Sequence, residues 1–470
     1  MRTRRERILE TMSDIMIVGG GLVGSLLSIF LARRGCTVRI YDRKPDPRTF
    51  AQSSGRSINL TLCERGFAAL ERVGAHDAVR AVTIPAYGRQ IHAEDGQVAF
   101  QPYGNEGEAL YSITRNELNR ALLDIAEKEH GVRIHFGVKC VGLDPQAPSV
   151  VLEDQETGAR RTEGAAWVFG SDGAFSAVRL QLQRTDRFDF SQSYLDQGYK
   201  ELTVPPAESA AWRLDLNALH IWPRGRYMLI GFPNFDGSTT LALHLPFEGE
   251  VSFAAVRDEK DLFAFFNRSF PDTVGYIPNL AGDFFGRPVS SMVTVRCNPW
   301  VRGRVALIGD AAHAVVPSFG QGANCGFEDC AVLDACLDRH GGDWEVALAA
   351  YERERKPNAD AIADLSLLHF GEIRDRVGDP RFLLSKAVER RLEHLHPDRY
   401  RSLYSLVSFT TITYVEALRR ARTQEALVER ILEDGGAALE HLDDGGADAL
   451  LQEHVRRASL PPLARTGPGT

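Results

Sequence analysis

The stretch "GGGLVG", Gly19–Gly24, limits the fold of this chain more than any other. Gly19, Gly21 and Gly24 stand in the spacing GxGxxG, after the apolar run "DIMIV" and at the head of a helical pattern that carries on through Arg34. A second strand, "TVRIYD", ends in Asp42, eighteen residues after the last glycine. Together these make a βαβ unit: the glycines let backbone approach a pyrophosphate, the helix start faces that charge, and the acid takes ribose hydroxyls. A tight turn with no ligand would account for the glycines alone. The strand before them and the acid after them point to a bound dinucleotide. The uncharged run Ile15–Ala32 could otherwise pass for a membrane span, or for a signal sequence behind the basic "MRTRRER". Its four glycines speak against one continuous helix, since each costs about 1 kcal/mol relative to alanine.

Composition removes other classes. The 470 residues carry 55 basic and 63 acidic side chains, a net charge of −8, which argues against a nucleic-acid platform. Seven cysteines lie scattered without a CxxC pair, so neither a disulfide framework nor a zinc site is expected, and a reducing, cytoplasmic setting is. No other stretch is long and apolar enough to span a bilayer, and no membrane anchor is expected. Residues 1–12 read as a disordered extension, with Met12 as an alternative start.

Two later segments repeat the strand-then-acid logic. "VFGSDGAFSAVR" (Val168–Arg179) is a strand ending in Asp172-Gly173 before a helix. "RVALIG" (Arg304–Gly309) runs into Asp310, breaks at Pro317, loosens through Gly320 and Gly322, and recovers as a helix. In this order the three segments resemble the flavoprotein aromatic hydroxylases. The resemblance implies an α/β fold like that of para-hydroxybenzoate hydroxylase: a Rossmann-like FAD-binding domain, an interleaved β-sheet substrate domain and a C-terminal helical region. It implies FAD as cofactor, with Asp310 at the ribitol or pyrophosphate. The helix start near Gly322, Ala323 and Asn324 would aim its positive end at the pyrimidine edge of the isoalloxazine, where reduced flavin carries an anion. Asp172, Gly309 and Pro317 belong to the same site, as do Arg43, beside Asp42, and Arg56. His313 has no second His, Cys or carboxylate at metal spacing beside it and reads as a packing residue or as one that supports the cofactor contacts from behind. Glu328 and Asp329 are adjacent on a helix and point to different faces, toward solvent or local hydrogen bonds.

"GRSINL" (Gly55–Leu60), "YSITRNELNRALL" (Tyr111–Leu123), "GYKEL" (Gly198–Leu202), "LHIWPRG" (Leu219–Gly225), "FPN" (Phe232–Asn234) and "YSLVSF" (Tyr404–Phe409) sharpen the likeness. They resemble the kynurenine 3-monooxygenase subfamily, over nearly the whole chain. By that resemblance Arg89, Tyr111 and Tyr404 grip the substrate's carboxylate and Arg115 contacts FAD. Leu219, Phe232, His244, Phe319 and His369 line the substrate cavity. From the residues alone, an arginine with two phenols can hold a carboxylate by charge-assisted hydrogen bonds, and the two tyrosines can equally be half-buried core residues. The chain departs from the subfamily pattern at Gln197, Ala242, His244, Ser318, Ala323 and His369.

The expected organisation assigns 13–80, 107–185 and 290–365 to the FAD-binding domain, 81–106 and 186–289 to the substrate sheet, and 366–470 to a helical lid. The implied reaction consumes NADPH and O2 and hydroxylates the ring of kynurenine, or a substituted kynurenine, ortho to its amino group through a flavin C4a-hydroperoxide. Few protein side chains take part, because the cofactor carries the chemistry. The chain is expected to be a monomer or homodimer. Other readings are a hydroxylase of another aromatic amino acid or an indole-type intermediate, a halogenase (whose WxWxIP pattern is absent), and a non-catalytic binder like the GDP dissociation inhibitors, against which the DG and GD motifs count.

Overall fold

The computed structural model describes residues 13–49, 59–206, 214–375, 380–435, 439 and 445–458. The expected extension at 1–12 and Arg56 lie outside them.

The apolar runs pair first. Asp14–Val18 is fully buried beyond its first residue, as the interior strand of a parallel sheet must be. It sits between Thr37–Asp42 and Trp167–Gly170 in a six-stranded sheet whose order is Val301–Arg302, Val305–Leu307, Trp167–Gly170, Asp14–Val18, Thr37–Asp42, Arg133–Phe136. All its pairs are parallel except that of Val301–Arg302 with Val305–Leu307. The chain leaves Asp14–Val18 toward one neighbour and returns on the other side. Such a reversal opens a crevice at the carboxyl ends of the strands. Each of the three motifs starts there: Gly19 after Val18, Asp172 after Gly170, and Gly309-Asp310 after Leu307. Helices Leu22–Arg33, Arg115–Lys128 and Gly322–Arg339 pack together against this sheet.

A second, seven-stranded sheet runs in the order Ser290–Asn298, Asp189–Val204, Thr239–Pro246, Tyr227–Pro233, Ala218–Arg224, Gly88–His92, Val98–Pro102. Period-two alternation gives it two different faces. Leu202, Trp222, Leu229, Leu241 and Leu243 form a core with Phe265, Phe266, Phe270 and Phe284 of the helical segment behind. The register sends the intervening residues the other way: Leu219 opposite Arg89, Ile230 opposite Ala242, and His244 opposite both Met228 and Tyr199. Ser290–Asn298, expected with the cofactor segments, is a strand of this sheet, paired with Asp189–Tyr194 about a hundred residues upstream. Ile84–Ala86 pairs instead with Leu110–Thr114 in a small three-stranded sheet.

Helix Trp344–Asp375 runs straight through the expected boundary at 365 and contains Pro357. Beyond it, helices Pro380–Leu395, Tyr414–Gly435 and Gly445–Ala458 build a core around Val388, Leu392, Tyr400, Ile431 and Leu451, with the short helix Leu403–Ser408 between the first two in the chain. Leu406, Val407 and Tyr414 dock this region on Phe319, Cys325, Ile362 and Leu365. Among the described residues no helix is long and apolar enough to cross a membrane.

Candidate functional site

Close packing dictates the glycine turn. A Cβ on Gly24 would lie 2.0 Å from the Gly19 carbonyl oxygen, and one on Gly19 (φ +107°) 2.5 Å from that of Ser171. The direction of a Cβ on Gly21 is open, and helix Leu22–Arg33 starts there with no side-chain cap and no acid in its first turn. Its first amides are left for an anion, which suits a pyrophosphate. Asp42 accepts hydrogen bonds from the amides of Gly20 and Lys44, both at 2.7 Å, and thereby shapes the turn from the next strand. Arg43 is exposed beside it.

Asp172 is committed within the protein. It accepts from Ser176 Oγ at 2.5 Å and from the amides of Ala177 and Val178 at 2.6 and 3.2 Å, at the start of the helix Ala177–Leu182. Burial raises its pKa, and these bonds oppose the rise. Arg179 from the same helix donates to Ala311 O at 2.7 Å, tying the second motif to the third. Asp310 has no hydrogen-bond or ion-pair partner among the described residues, and a Cβ on Gly322 would lie 4.0 Å from its Oδ1. Helix Gly322–Arg339 also lacks a side-chain cap and first-turn acids. A free carboxylate therefore faces a free helix start across the turn of Pro317, which is exposed. Ala323 is half-buried at that start. Asn324 is buried: it accepts from Cys63 N at 3.0 Å and donates to Thr61 O and Gly320 O at 2.8 and 2.9 Å. Its side chain ties the turn to the neighbouring strand, leaving only its backbone for a ligand. Arg115, exposed at the head of its helix, is near enough to lower the pKa of Glu201 against the burial that raises it.

Behind the turn lies a buried ionic chain. Glu328 pairs with Arg65 at 2.7 Å and Arg355 at 2.5 Å, and Asp329 with Arg355 at 2.7 Å and His313 at 2.5 Å. Asp329 also accepts from Gly309 N at 3.1 Å, so this carboxylate supports the turn that presents Asp310. The expectations that His313 lacks a nearby carboxylate and that the two acids face solvent or local partners are corrected here. Their partners come from segments far apart in the chain. Burial alone would keep His313 neutral, but Asp329 and Cys325 outweigh it and raise its pKa well above the ordinary value. His313, Cys325 and Asp329 bring three ligand-type atoms within 4.8 Å of one another. The Arg355 guanidinium already occupies the cation position there, 2.7 Å from Asp329 Oδ1 and 3.2 Å from Cys325 Sγ.

In front of the turn, the structure gathers Arg89, Tyr404, Phe319 and His369, together with Tyr103. The Tyr103 and Tyr404 rings stack at 5.3 Å, Phe319 lies 5.7 Å from Tyr404, and His369 lies 4.2 Å from Phe319. Burial pushes Tyr103 up to about 12 and Tyr404 well above its usual value, while the charge of nearby Arg89 opposes both shifts. Arg89 donates to Gln101 at 3.1 Å and has no ion-pair partner among the described residues. Tyr111 is not in this group. Strand alternation turns it to the far side, where Phe67 meets its ring at 5.1 Å and Arg80 covers it at 3.6 Å. Tyr103 takes its place beside Tyr404; the phenol in "QPYG" was the sequence signal for it, readable once the edge strand Val98–Pro102 is paired with Arg89's strand. Leu219, Phe232 and His244 share the sheet face that carries Arg89. His244 is buried, 5.6 Å from the Tyr199 ring; its Nδ1 and the Nε2 of His369 have no hydrogen-bond partner among the described residues. Burial lowers the pKa of His244 to about 4 and also lowers that of His369, with Glu372 opposing the latter shift.

The arrangement can be set beside known proteins. The FAD binding domain family FAD_binding_3 matches residues 12–231 and 272–366. The kynurenine 3-monooxygenase of Flavobacterium johnsoniae is 46% identical over 425 residues, 90% of this chain and 95% of that protein. The kynurenine 3-monooxygenase of Salinispora tropica is 43% identical over 460 residues, covering 97% and 99%. Among solved structures, 2-methyl-3-hydroxypyridine-5-carboxylic acid oxygenase superposes with a TM-score of 0.63 at 24% identity, covering 78% of this chain and 94% of its own. PqsL of Pseudomonas aeruginosa gives 0.61 at 22% identity, covering 77% and 97%. These last two share the fold. With identity this high sustained from one end of the curated relatives to the other, the chain belongs to the kynurenine 3-monooxygenase family of FAD-binding hydroxylases.

Proposed function

We propose that this protein is an FAD-dependent monooxygenase that consumes NADPH and O2 to hydroxylate kynurenine, or a substituted kynurenine, ortho to its ring amino group. The observation that carries the substrate class is Arg89. It is an arginine without an ion-pair partner among the described residues, beside the stacked phenols Tyr103 and Tyr404, on the sheet face that also carries Leu219, Phe232 and His244. A carboxylate there would receive charge-assisted hydrogen bonds. Bound FAD would supply hydride acceptance from NADPH and activation of O2. The residues toward it are the glycine turn with the Leu22 helix start at the pyrophosphate, Asp310 at the ribitol, and the uncapped Gly322 helix start at the ring.

The chain's own side chains bind, orient and exclude water. Leu219, Phe232 and Phe319 provide apolar walls, and a dry cavity suppresses loss of activated oxygen as peroxide. His244 and His369 are assigned to polar groups of the substrate, since each has a buried nitrogen without a hydrogen-bond partner among the described residues. That observation favours a substrate with a polar ring substituent as the second reading. The seven free cysteines accord with a cytoplasmic setting. The test is to purify the protein, record its flavin spectrum, and follow NADPH oxidation with kynurenine while identifying the product by mass. A yellow protein yielding 3-hydroxykynurenine is expected. A yellow protein that oxidises NADPH faster with a ring-substituted kynurenine, and forms mainly peroxide with kynurenine, shifts the assignment to the substituted substrate. No turnover with either overturns the proposal.

A further inference from the structure

We propose that Tyr414 is a positioning residue: it holds the amide of Gln321 at the cofactor turn and so ties the segment bearing Tyr404 to the helix start that faces FAD. This rests on the reading above that the turn at 317–322 adjoins the flavin.

Gln321 directly precedes helix Gly322–Arg339 and is buried, yet its side chain does not cap that helix. Its Oε1 accepts from Tyr414 Oη at 2.9 Å and its Nε2 donates to Phe319 O at 3.3 Å. The Phe319 carbonyl can only accept, so it fixes which end of the amide meets Tyr414. Cys63 closes the remaining side, its sulfur 3.6 Å from Nε2. Tyr414 is itself fixed. It is buried at the first residue of helix Tyr414–Gly435, with the Arg65 guanidinium 4.1 Å above its ring. Arg65 donates to Val407 O and Ile412 O, which precede Tyr414 on the segment that begins with Tyr404, and pairs with Glu328 of helix Gly322–Arg339. Burial keeps the Tyr414 phenol protonated far above neutral pH, with the Arg65 charge opposing, so it remains a donor. Gln321 is thus held from helix Tyr414–Gly435 by one hydroxyl. Phe319, whose carbonyl it grips, is the ring that contacts both Tyr404 and His369.

The decisive variants are Tyr414→Phe, which keeps the ring under Arg65 and removes only the hydroxyl, and Gln321→Met, which removes the amide at similar volume. Both are examined as FAD-loaded proteins for visible flavin spectrum, reduction potential, KM for kynurenine, and product formed per NADPH. Tyr414→Phe is expected to shift the spectrum and potential, to raise peroxide per NADPH about three- to tenfold, and to leave KM within about twofold. Gln321→Met is expected to give the same spectral shift, and Tyr414→Phe added to it should change neither spectrum nor potential further. A Tyr414→Phe protein with wild-type spectrum and potential overturns the proposal. So does a Gln321→Met protein with wild-type spectrum, or an undiminished effect of Tyr414→Phe in the Gln321→Met background. Spectrum and potential are read without any substrate, so a wrong substrate assignment leaves this test intact and shows itself only in turnover.

Discussion

His313 and His244 are both buried, and the surroundings push them in opposite directions. His313, behind the cofactor turn, meets Asp329 at 2.5 Å and has a raised pKa. His244, on the seven-stranded sheet, meets no charge among the described residues and is lowered to about 4 by burial. The first region is an ionic framework in which Arg65, Glu328, Asp329, Arg355 and His313 satisfy one another. The second leaves imidazole nitrogens without a hydrogen-bond partner among the described residues. A protein can bury charge only if that charge is paired, whereas a cavity built for a ligand keeps polar atoms for the ligand to satisfy.

The sharpest way to break this comparison is Asp329→Ala. It strands His313 and one side of Arg355 without an anion and removes the acceptor of Gly309 N, and breaking a buried pair in this way costs about 3–5 kcal/mol. Denaturant unfolding should show that loss, with weaker flavin retention because the Gly309-Asp310 turn loses its support. A variant as stable and as yellow as the parent would mean that the framework is not what holds the turn.

The next effect is in the pH dependence, and the two histidines have opposite signs. For His244 the folded pKa lies below the unfolded value near 6.5, so its contribution is fully present above that value. It is lost as pH falls toward 4, on the order of 3 kcal/mol in all. For His313 the folded pKa is raised, so its contribution is complete below about 6.5 and lost as pH climbs through the raised folded value. Melting temperatures measured between pH 7 and pH 4.5 should fall in the parent and fall less in His244→Phe. Parallel curves for the two proteins would remove His244 from the account.

The smallest effects separate the tyrosines. Arg89→Ala should raise KM for a carboxylate-bearing substrate about ten- to a hundredfold with FAD retained, from loss of a contact worth about 1.5–3 kcal/mol. Tyr103→Phe should raise KM less, by several-fold, and Tyr111→Phe should leave it unchanged because Phe67 and Arg80 engage that ring elsewhere. Steady-state kinetics of the three variants check the order. A Tyr111 effect equal to that of Tyr103 would restore the original pairing of Arg89 with Tyr111.

The cofactor side was largely legible in the chain because its signals are local. Gly19, Gly24 and Gly309 stand where backbone passes within contact of backbone or Val23, and Asp42 follows one strand later. The substrate side was less so. Tyr103 and Tyr111 lie eight residues apart and look alike in sequence, and only strand pairing turns one toward Arg89 and the other toward Arg80. For Asp172 the sequence showed the acid at the strand end but not its partners, Ser176 and the Ala177 amide.

What the sequence determined by itself is the βαβ unit, the order of the three motifs at strand ends and the kinship that names the cofactor. Period, glycine spacing and motif order are properties of neighbouring residues. What the tertiary structure decided is which distant groups share a low-dielectric interior: Arg65 with Glu328, Arg355 with Asp329, and Tyr414 with Gln321. No local pattern encodes those pairs. Their partners are separated by 26 to 263 residues, and their energies arise only once water has been excluded between them.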